Sequence, residues 1–203
     1  MERSLRLTAA HWLALCALAS GGALLAWLAA WGPAWRWQPE LAATQPWRLV
    51  TAAWVHLSGL HLAANLAGTA LVAALGVAAG CGRRAALAWG LAWPLTHLGL
   101  LAQPALLFYG GLSGVLHAAV AVAAWQLLRG ERGVRRAIGA ALLIGLMVKV
   151  LAESPWAGPL RQVPGWDIPI APLAHAAGAL AGLLCALACG VGTDAGRSAR
   201  ASP

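Results

Sequence analysis

Gly111-Leu112-Ser113-Gly114 sets one serine among small residues at the mouth of an apolar run that reaches Leu128. Far downstream, Ala174-His175-Ala176-Ala177-Gly178 opens a second such run. A serine and a histidine at the outer ends of two apolar helices suggest a nucleophile and its base protected by lipid. The rest of the chain must supply those helices and bring the pair to one level.

Of 203 residues, 61% are hydrophobic and 10% charged. That is too apolar for a soluble domain and fits a multi-span membrane protein. A bilayer core of about 30 Å takes roughly 20 helical residues per crossing, so there is room for about five to seven spans and no sizeable soluble domain. The net charge of +8 does not point to nucleic acid, because no basic stripe is interleaved with exposed aromatics. The arginines fall in short clusters between apolar runs, as membrane topology requires. The twelve tryptophans, many near the ends of apolar runs, fit interfacial belts. Four cysteines, Cys16, Cys81, Cys185 and Cys189, show neither a disulfide framework nor zinc spacing; Cys16 and Cys81 read as packing and loop residues, and Cys185 and Cys189, four apart on one helix, as small packed residues in preference to a metal or redox pair. No cofactor and no metal site is expected.

Six spans are expected, at about 9–31, 53–79, 85–102, 113–128, 134–152 and 171–191. Residues 1–192 then form one all-α membrane domain, and 193–203 a short disordered cytoplasmic tail. The first run follows Arg3 and Arg6 like a signal peptide, but it is too long for a signal-peptide core and reads as a retained span. Arg3, Arg6, Arg83, Arg84, Arg129, Arg132, Arg135, Arg136, Arg197 and Arg200 fall on one side of these spans. Only Arg36, Arg48 and Arg161 fall on the other. The excess places both termini in the cytoplasm, and the long connection over 32–52 faces outward.

His56 and His61 fall in the outer half of the second span, and His97 near the outer end of the third. Ser113 and His117 open the fourth span and His175 the sixth, so five of the six histidines converge with the serine at one level. From Ser113 to Arg129 is sixteen residues, about 24 Å of helix. With Arg129 at the inner interface, Ser113 lies below the outer edge of the core, and the apolar segment 103–112 must dip inward to reach it. Non-helical backbone at that depth is tolerated only when buried in protein or lining a water-filled cavity. Ser113 is expected on the floor of a water-accessible pocket.

A serine hydroxyl is a weak nucleophile until a base takes its proton. His175 is the leading base, since an apolar setting keeps its ring neutral. Acyl transfer also needs donors aimed at the developing oxyanion. His61 and Asn65, four apart on one helix face, can both point there, and backbone N–H groups at the start of the fourth helix add to them. No acid is obviously placed to orient His175, which leaves a dyad. Gly178 and Gly182 share one face of the sixth helix, with Gly114 beside the serine, and small faces of this kind let membrane helices pack closely. Each feature alone has a plainer reading: the serine as a helix cap, Asn65 as interhelical glue, the glycines as packing. The joint pattern carries the inference.

That pattern resembles the rhomboid intramembrane serine proteases. Trp47-Arg48, His56, His61 and Asn65 are similar to their first outer loop and second helix, Gly111-Leu112-Ser113-Gly114 to their nucleophile motif, and Ala174-His175 with Gly178 and Gly182 to their sixth helix. The resemblance covers roughly residues 47–189. It implies a six-helix rhomboid bundle, N-in and C-in, with Ser113 as nucleophile, His175 as base, and His61 with Asn65 at the oxyanion. Two departures point to a subgroup. Rhomboids commonly carry a tyrosine four residues after the serine, where this chain has His117; and Lys149 and Glu153 stand near the outer end of the fifth helix. These features resemble the rhombosortases.

Membership there implies a multi-pass protein of a bacterial inner membrane, its site facing the periplasm. Its partners would be membrane lipids and membrane-anchored proteins with a C-terminal Gly-Gly-type sorting helix. The products would come from hydrolysis or from transfer of the cleaved end to a lipid amine. His117 either bonds His175, meets the substrate or merely packs. Lys149 and Glu153, spaced i, i+4, form an intrahelical ion pair or serve function, as ionisable residues at membrane depth usually do. Trp47 and Arg48 are expected to anchor the outer loop at the interface, and His56 and His97 to supply structural hydrogen bonds. A non-catalytic binder of transmembrane helices and a histidine-ligated haem or metal carrier are the competing classes. The four intact site residues speak against the first, and the lack of a ligand motif against the second.

Overall fold

Alanine- and leucine-rich runs separated by glycine, proline and arginine fold into six long helices: α1 (Ala10–Leu28), α2 (Gly59–Ala78), α3 (Arg83–Leu98), α4 (Ser113–Gly130), α5 (Gly133–Ala152) and α6 (Pro172–Ala188). This computed structural model describes residues 9–193. Arg3, Arg6, Arg197, Arg200 and the expected tail beyond Thr193 lie outside the described residues. Among the described residues three stretches, Ala10–Leu28, Gly59–Ala78 and Arg83–Ala102, are long and apolar enough to cross a membrane, and Pro172–Ala188 is apolar but shorter.

α4 is the axis of the bundle. Val115, Ala118, Ala119, Val122 and Ala123 are all enclosed, and a helix that is apolar all round belongs in a core. It packs against α2, α3, α5 and α6. α6 comes closest, because a Cβ on Gly178 would run into the Gly114 carbonyl and one on Gly182 into the Ala118 carbonyl. α1 is held at the edge by Trp12, whose indole N–H donates to the Val72 carbonyl of α2 at 3.0 Å. Gly76 leaves room for that ring, which also meets Trp89 of α3 at 4.7 Å between centroids. α5 leans on α4 through Gly139, where a side chain would strike the Ala124 carbonyl and the Leu128 amide. It buries little else, only Val150 near its far end.

The second helix begins at Gly59, later than its apolar run. Residues before it form one helical turn, Arg48–Thr51, and a 3-10 turn, Ala52–Trp54. Ser58 then adopts an extended backbone and its side chain accepts the His61 N–H at 3.1 Å, an N-cap that sets the helix start. His56 therefore sits in the connection and not in the span. Arg48 is also placed differently from expectation. It is buried, and its guanidinium donates to the carbonyls of Pro33 at 2.8 Å and Arg36 at 2.6 Å and to Gln45 Oε1 at 2.7 Å. A buried guanidinium needs such partners, so Arg48 braces the loop from within, while Trp47 alone of the pair is exposed.

The segment between α3 and α4 dips inward as its apolar character requires, burying Leu106, Tyr109 and Leu112. Trp37 and Tyr109 exchange two backbone hydrogen bonds, both 2.9 Å, which tie the first loop to the approach to Ser113. At the other end of the bundle Arg135 donates to the Ala78 carbonyl at 2.8 Å and Arg84 to Thr193 Oγ1 at 3.4 Å. Arg84 and Arg135 thus occupy the end opposite the serine.

Candidate active site

Ser113 is the first residue of α4, where helical N–H groups have no intrahelical acceptor. His175 lies in the first turn of α6. The glycine contact between α4 and α6 brings His175 Nε2 to 2.9 Å from Ser113 Oγ, hydrogen-bond distance. His175 is buried, so bulk water does not compete for its ring.

On α2, His61 and Asn65 line the same cavity of about 510 Å³ as Ser113 and His175. The Leu57 N–H points to His61 Nδ1 at 3.5 Å. An acceptor at Nδ1 leaves the proton on Nε2, the atom that faces Gly111. Gly111 has φ +142°, and a Cβ there would meet His61 Cε1 at 2.7 Å and Nε2 at 2.8 Å. Only glycine allows both the backbone and the histidine. The Asn65 amide Nδ2 is buried without a partner. Buried donors are nearly always paired, so this one stands out in a cavity that it shares with Ser113.

His56 and His97 have other surroundings. The His56 Nδ1–H donates to the Trp54 carbonyl at 3.1 Å, and its ring meets that of His61 at 4.9 Å between centroids. The His97 Nδ1–H donates to the Leu49 carbonyl at 2.6 Å, behind Tyr109. His117 stacks on His175 at 4.3 Å and 14° between planes, and its Nδ1–H donates to the Ser113 carbonyl at 2.7 Å. Gly114 has no room for a side chain, with the Ala174 carbonyl 2.7 Å from where its Cβ would lie.

Two features were not legible in the sequence. The first is Tyr109, the only tyrosine, whose hydroxyl lies 3.5 Å from Ser113 Oγ. Burial pushes its phenol above the ordinary range, so it stays a neutral hydroxyl. Its position four residues before the serine was the available signal. The second corrects the expectation that no acid orients His175: Glu153 Oε2 is 2.6 Å from His175 Nδ1. Lys149 and Glu153 do pair within their helix, at 2.9 Å, but they also turn into the site. Lys149 Nζ is 2.6 Å from His117 Nε2 and 2.9 Å from His175 Nδ1. Burial alone would raise the Glu153 carboxyl, but the bonds and charges of His175 and Lys149 outweigh it and hold it at about 2. Glu153 is therefore a carboxylate at any ordinary pH. Among the described residues no group of three or more His, Cys, Asp and Glu is arranged to hold a metal ion.

Beside the cavity an apolar groove runs between α2 and α5 over α4, lined by Gly68, Leu71, Leu116, Val120, Leu142 and Gly145, and it reaches Ser113.

Apolar helices around a serine and a histidine paired at one end of the bundle define the class: a multi-pass membrane protein with an enclosed polar site. The rhomboid domain matches residues 43–191, and the chain belongs to the rhomboid family, which consists of intramembrane serine proteases. No curated protein matches the chain.

Proposed function

We propose that the chain is an intramembrane serine protease of the rhombosortase kind, with Ser113 as nucleophile, His175 as base and His61 and Asn65 as oxyanion donors. The observation that carries this is the 2.9 Å approach of His175 Nε2 to Ser113 Oγ, in a cavity that also holds the unpaired Asn65 amide. Ser113 Oγ attacks the scissile carbonyl carbon while its proton passes to His175 Nε2. The carbonyl oxygen becomes an oxyanion, met by His61 Nε2–H and the Asn65 amide. Collapse breaks the C–N bond, and the amine leaves with the proton from Nε2. The acyl ester on Ser113 is then released to water, or to a lipid amine in a transfer reaction.

The wider assignment rests on the same site and the charge pattern. All six long helices span the membrane with both termini in the cytoplasm, and the serine end faces the periplasm of a bacterial inner membrane. The groove between α2 and α5 fits a substrate helix, whose backbone must unwind to meet Ser113. A C-terminal sorting helix beginning at Gly-Gly supplies such a weak point, since glycine destabilises a helix. His117 in place of the usual tyrosine, with Lys149 and Glu153, supports the subgroup.

A fluorophosphonate probe in detergent tests the reading. Labelling of the wild type is expected to vanish in Ser113→Ala and in His175→Ala, and Ser113→Ala should end processing of a co-expressed sorting-helix substrate at normal expression. Undiminished processing in Ser113→Ala would overturn the assignment. A folded wild type that takes up no probe would favour a non-catalytic binder of transmembrane helices.

A further inference from the structure

The chemistry of the partners favours one set of hydrogen-bond directions around His175. A carboxylate only accepts, so His175 Nδ1, 2.6 Å from Glu153 Oε2, carries the ring proton. His175 Nε2 is then a lone pair aimed at Ser113 Oγ, the form a general base must have. Lys149 Nζ also lies 2.9 Å from Nδ1, but an ammonium only donates. A lysine bond to Nδ1 would require a lone pair there. It would set two acceptors against each other at the Glu153 contact and turn an N–H toward the serine. The lysine protons have better places: Glu153 Oε1 at 2.9 Å and His117 Nε2 at 2.6 Å. His117 accepts there because its Nδ1–H is committed to the Ser113 carbonyl at 2.7 Å. Two of the three lysine N–H groups and both imidazole N–H groups then have acceptors, and the circuit starts and ends on Ser113.

Resting on the reading of Ser113 and His175 as nucleophile and base, we propose that Glu153 is the positioning acid of His175, held in place by Lys149, which is itself fixed on His117. Glu153 selects the tautomer of His175, fixes the plane of its ring and faces the positive charge that the ring gains when it takes the serine proton. It does not touch the reacting carbonyl and takes no proton. Lys149 straddles Glu153 and His117, so α5, which packs on α4 through Gly139, is also coupled at this end to the serine's own helix. His117 has a definite place in this arrangement: an acceptor for Lys149 on one side, a donor to the Ser113 backbone on the other, and a stacking surface for His175 between them.

The test compares Glu153→Gln and Glu153→Asp in the full-length protein, by fluorophosphonate labelling of Ser113 and by kcat and KM on a co-expressed substrate purified for assay. Gln keeps the shape and removes the charge, and is expected to slow labelling and kcat by about 100-fold or more, because loss of the orienting acid disturbs tautomer and charge together. KM should stay within about threefold, since substrate is not touched. Asp keeps the charge and should recover at least about tenfold over Gln. Labelling of Glu153→Gln at the wild-type rate, with Ser113→Ala and His175→Ala both unlabelled, would overturn the proposal and leave the serine protease intact. Loss of the Ser113 dependence would instead overturn the underlying reading. Should Glu153→Gln fail to fold because it strands Lys149, Lys149→Met/Glu153→Gln carries no unpaired charge and takes its place, with the same loss expected. Wild-type labelling in that double variant, or its failure to fold, would show the pair to be a structural brace and overturn the proposal.

Discussion

Asn65 has a buried amide nitrogen with no partner, although a side-chain donor in that position loses about 1–3 kcal/mol by staying unmade. Its sequence position admitted two roles, interhelical glue or oxyanion donor, and they predict opposite signs for one substitution. Glue would be lost in Asn65→Ala, and the protein would melt at a lower temperature. A donor held open for a transition state is a defect in the resting fold, so its removal leaves stability unchanged or raised. The expected outcome is an unchanged or higher melting temperature in detergent, with kcat down by about 100- to 1,000-fold, the usual effect of removing one oxyanion donor. A lowered melting temperature with kcat preserved would restore the glue reading. Residue by residue, the polar groups visible from spacing were those on a single helix face, as His61 and Asn65 are. Glu153 escaped notice as a partner of His175 because the contact joins α5 to α6 across 22 positions of chain, and helical periodicity carries no information across such a gap. The i, i+4 pair with Lys149 was visible for the converse reason.

At the level of elements, the distance between Ser113 and His175 is set by the fit of α6 against α4 and by no side chain of its own. Gly178 and Gly182 meet the carbonyls of Gly114 and Ala118 so closely that a methyl group has no room at either place. Gly178→Ala is expected to push the helices apart and cost about 1–3 kcal/mol of stability, as overpacking does, with loss of labelling because His175 moves off Ser113. Gly21→Ala on α1 is the control: nothing lies within 4 Å of its Cβ position, and the change should be neutral or stabilise by up to about 1 kcal/mol. Equal melting temperatures for the two variants would count against the glycine contact as the device that assembles the pair. This face was legible, since two glycines four apart in an apolar run have few other uses in a membrane helix. The start of α2 was not. Hydropathy runs on through residues 53–58, and only the Ser58 cap and the demands of buried Arg48 stop the helix short of them.

Over the whole molecule, the clustered arginines and the serine site lie at opposite ends. Arg84 and Arg135 meet Thr193 and the end of α2, while Ser113, His61, Glu153 and His175 gather at the far end. The order of spans was open to reading because each apolar run is bounded by arginine, glycine or proline. What those boundaries could not supply was the course of the first loop, which folds around Arg48 and reaches the serine through the Trp37–Tyr109 backbone bonds. Sorting of this kind makes a prediction independent of catalysis. Positive charge flanking spans is retained on the cytoplasmic side, so the arginine end should face the cytoplasm and Ser113 the opposite compartment. A green fluorescent protein fused after Pro203 should fluoresce and an alkaline phosphatase fused there should be inactive, while phosphatase inserted in the 155–170 connection, beside the site, should be active. Reversing the pattern would require changing the arginines: neutralising Arg129, Arg132, Arg135 and Arg136 together should weaken it, whereas neutralising Lys149 should not, because that lysine is committed to Glu153 and His117. An active phosphatase at the C-terminus of the unaltered chain would place the serine in the cytoplasm and exclude exported proteins as its substrates.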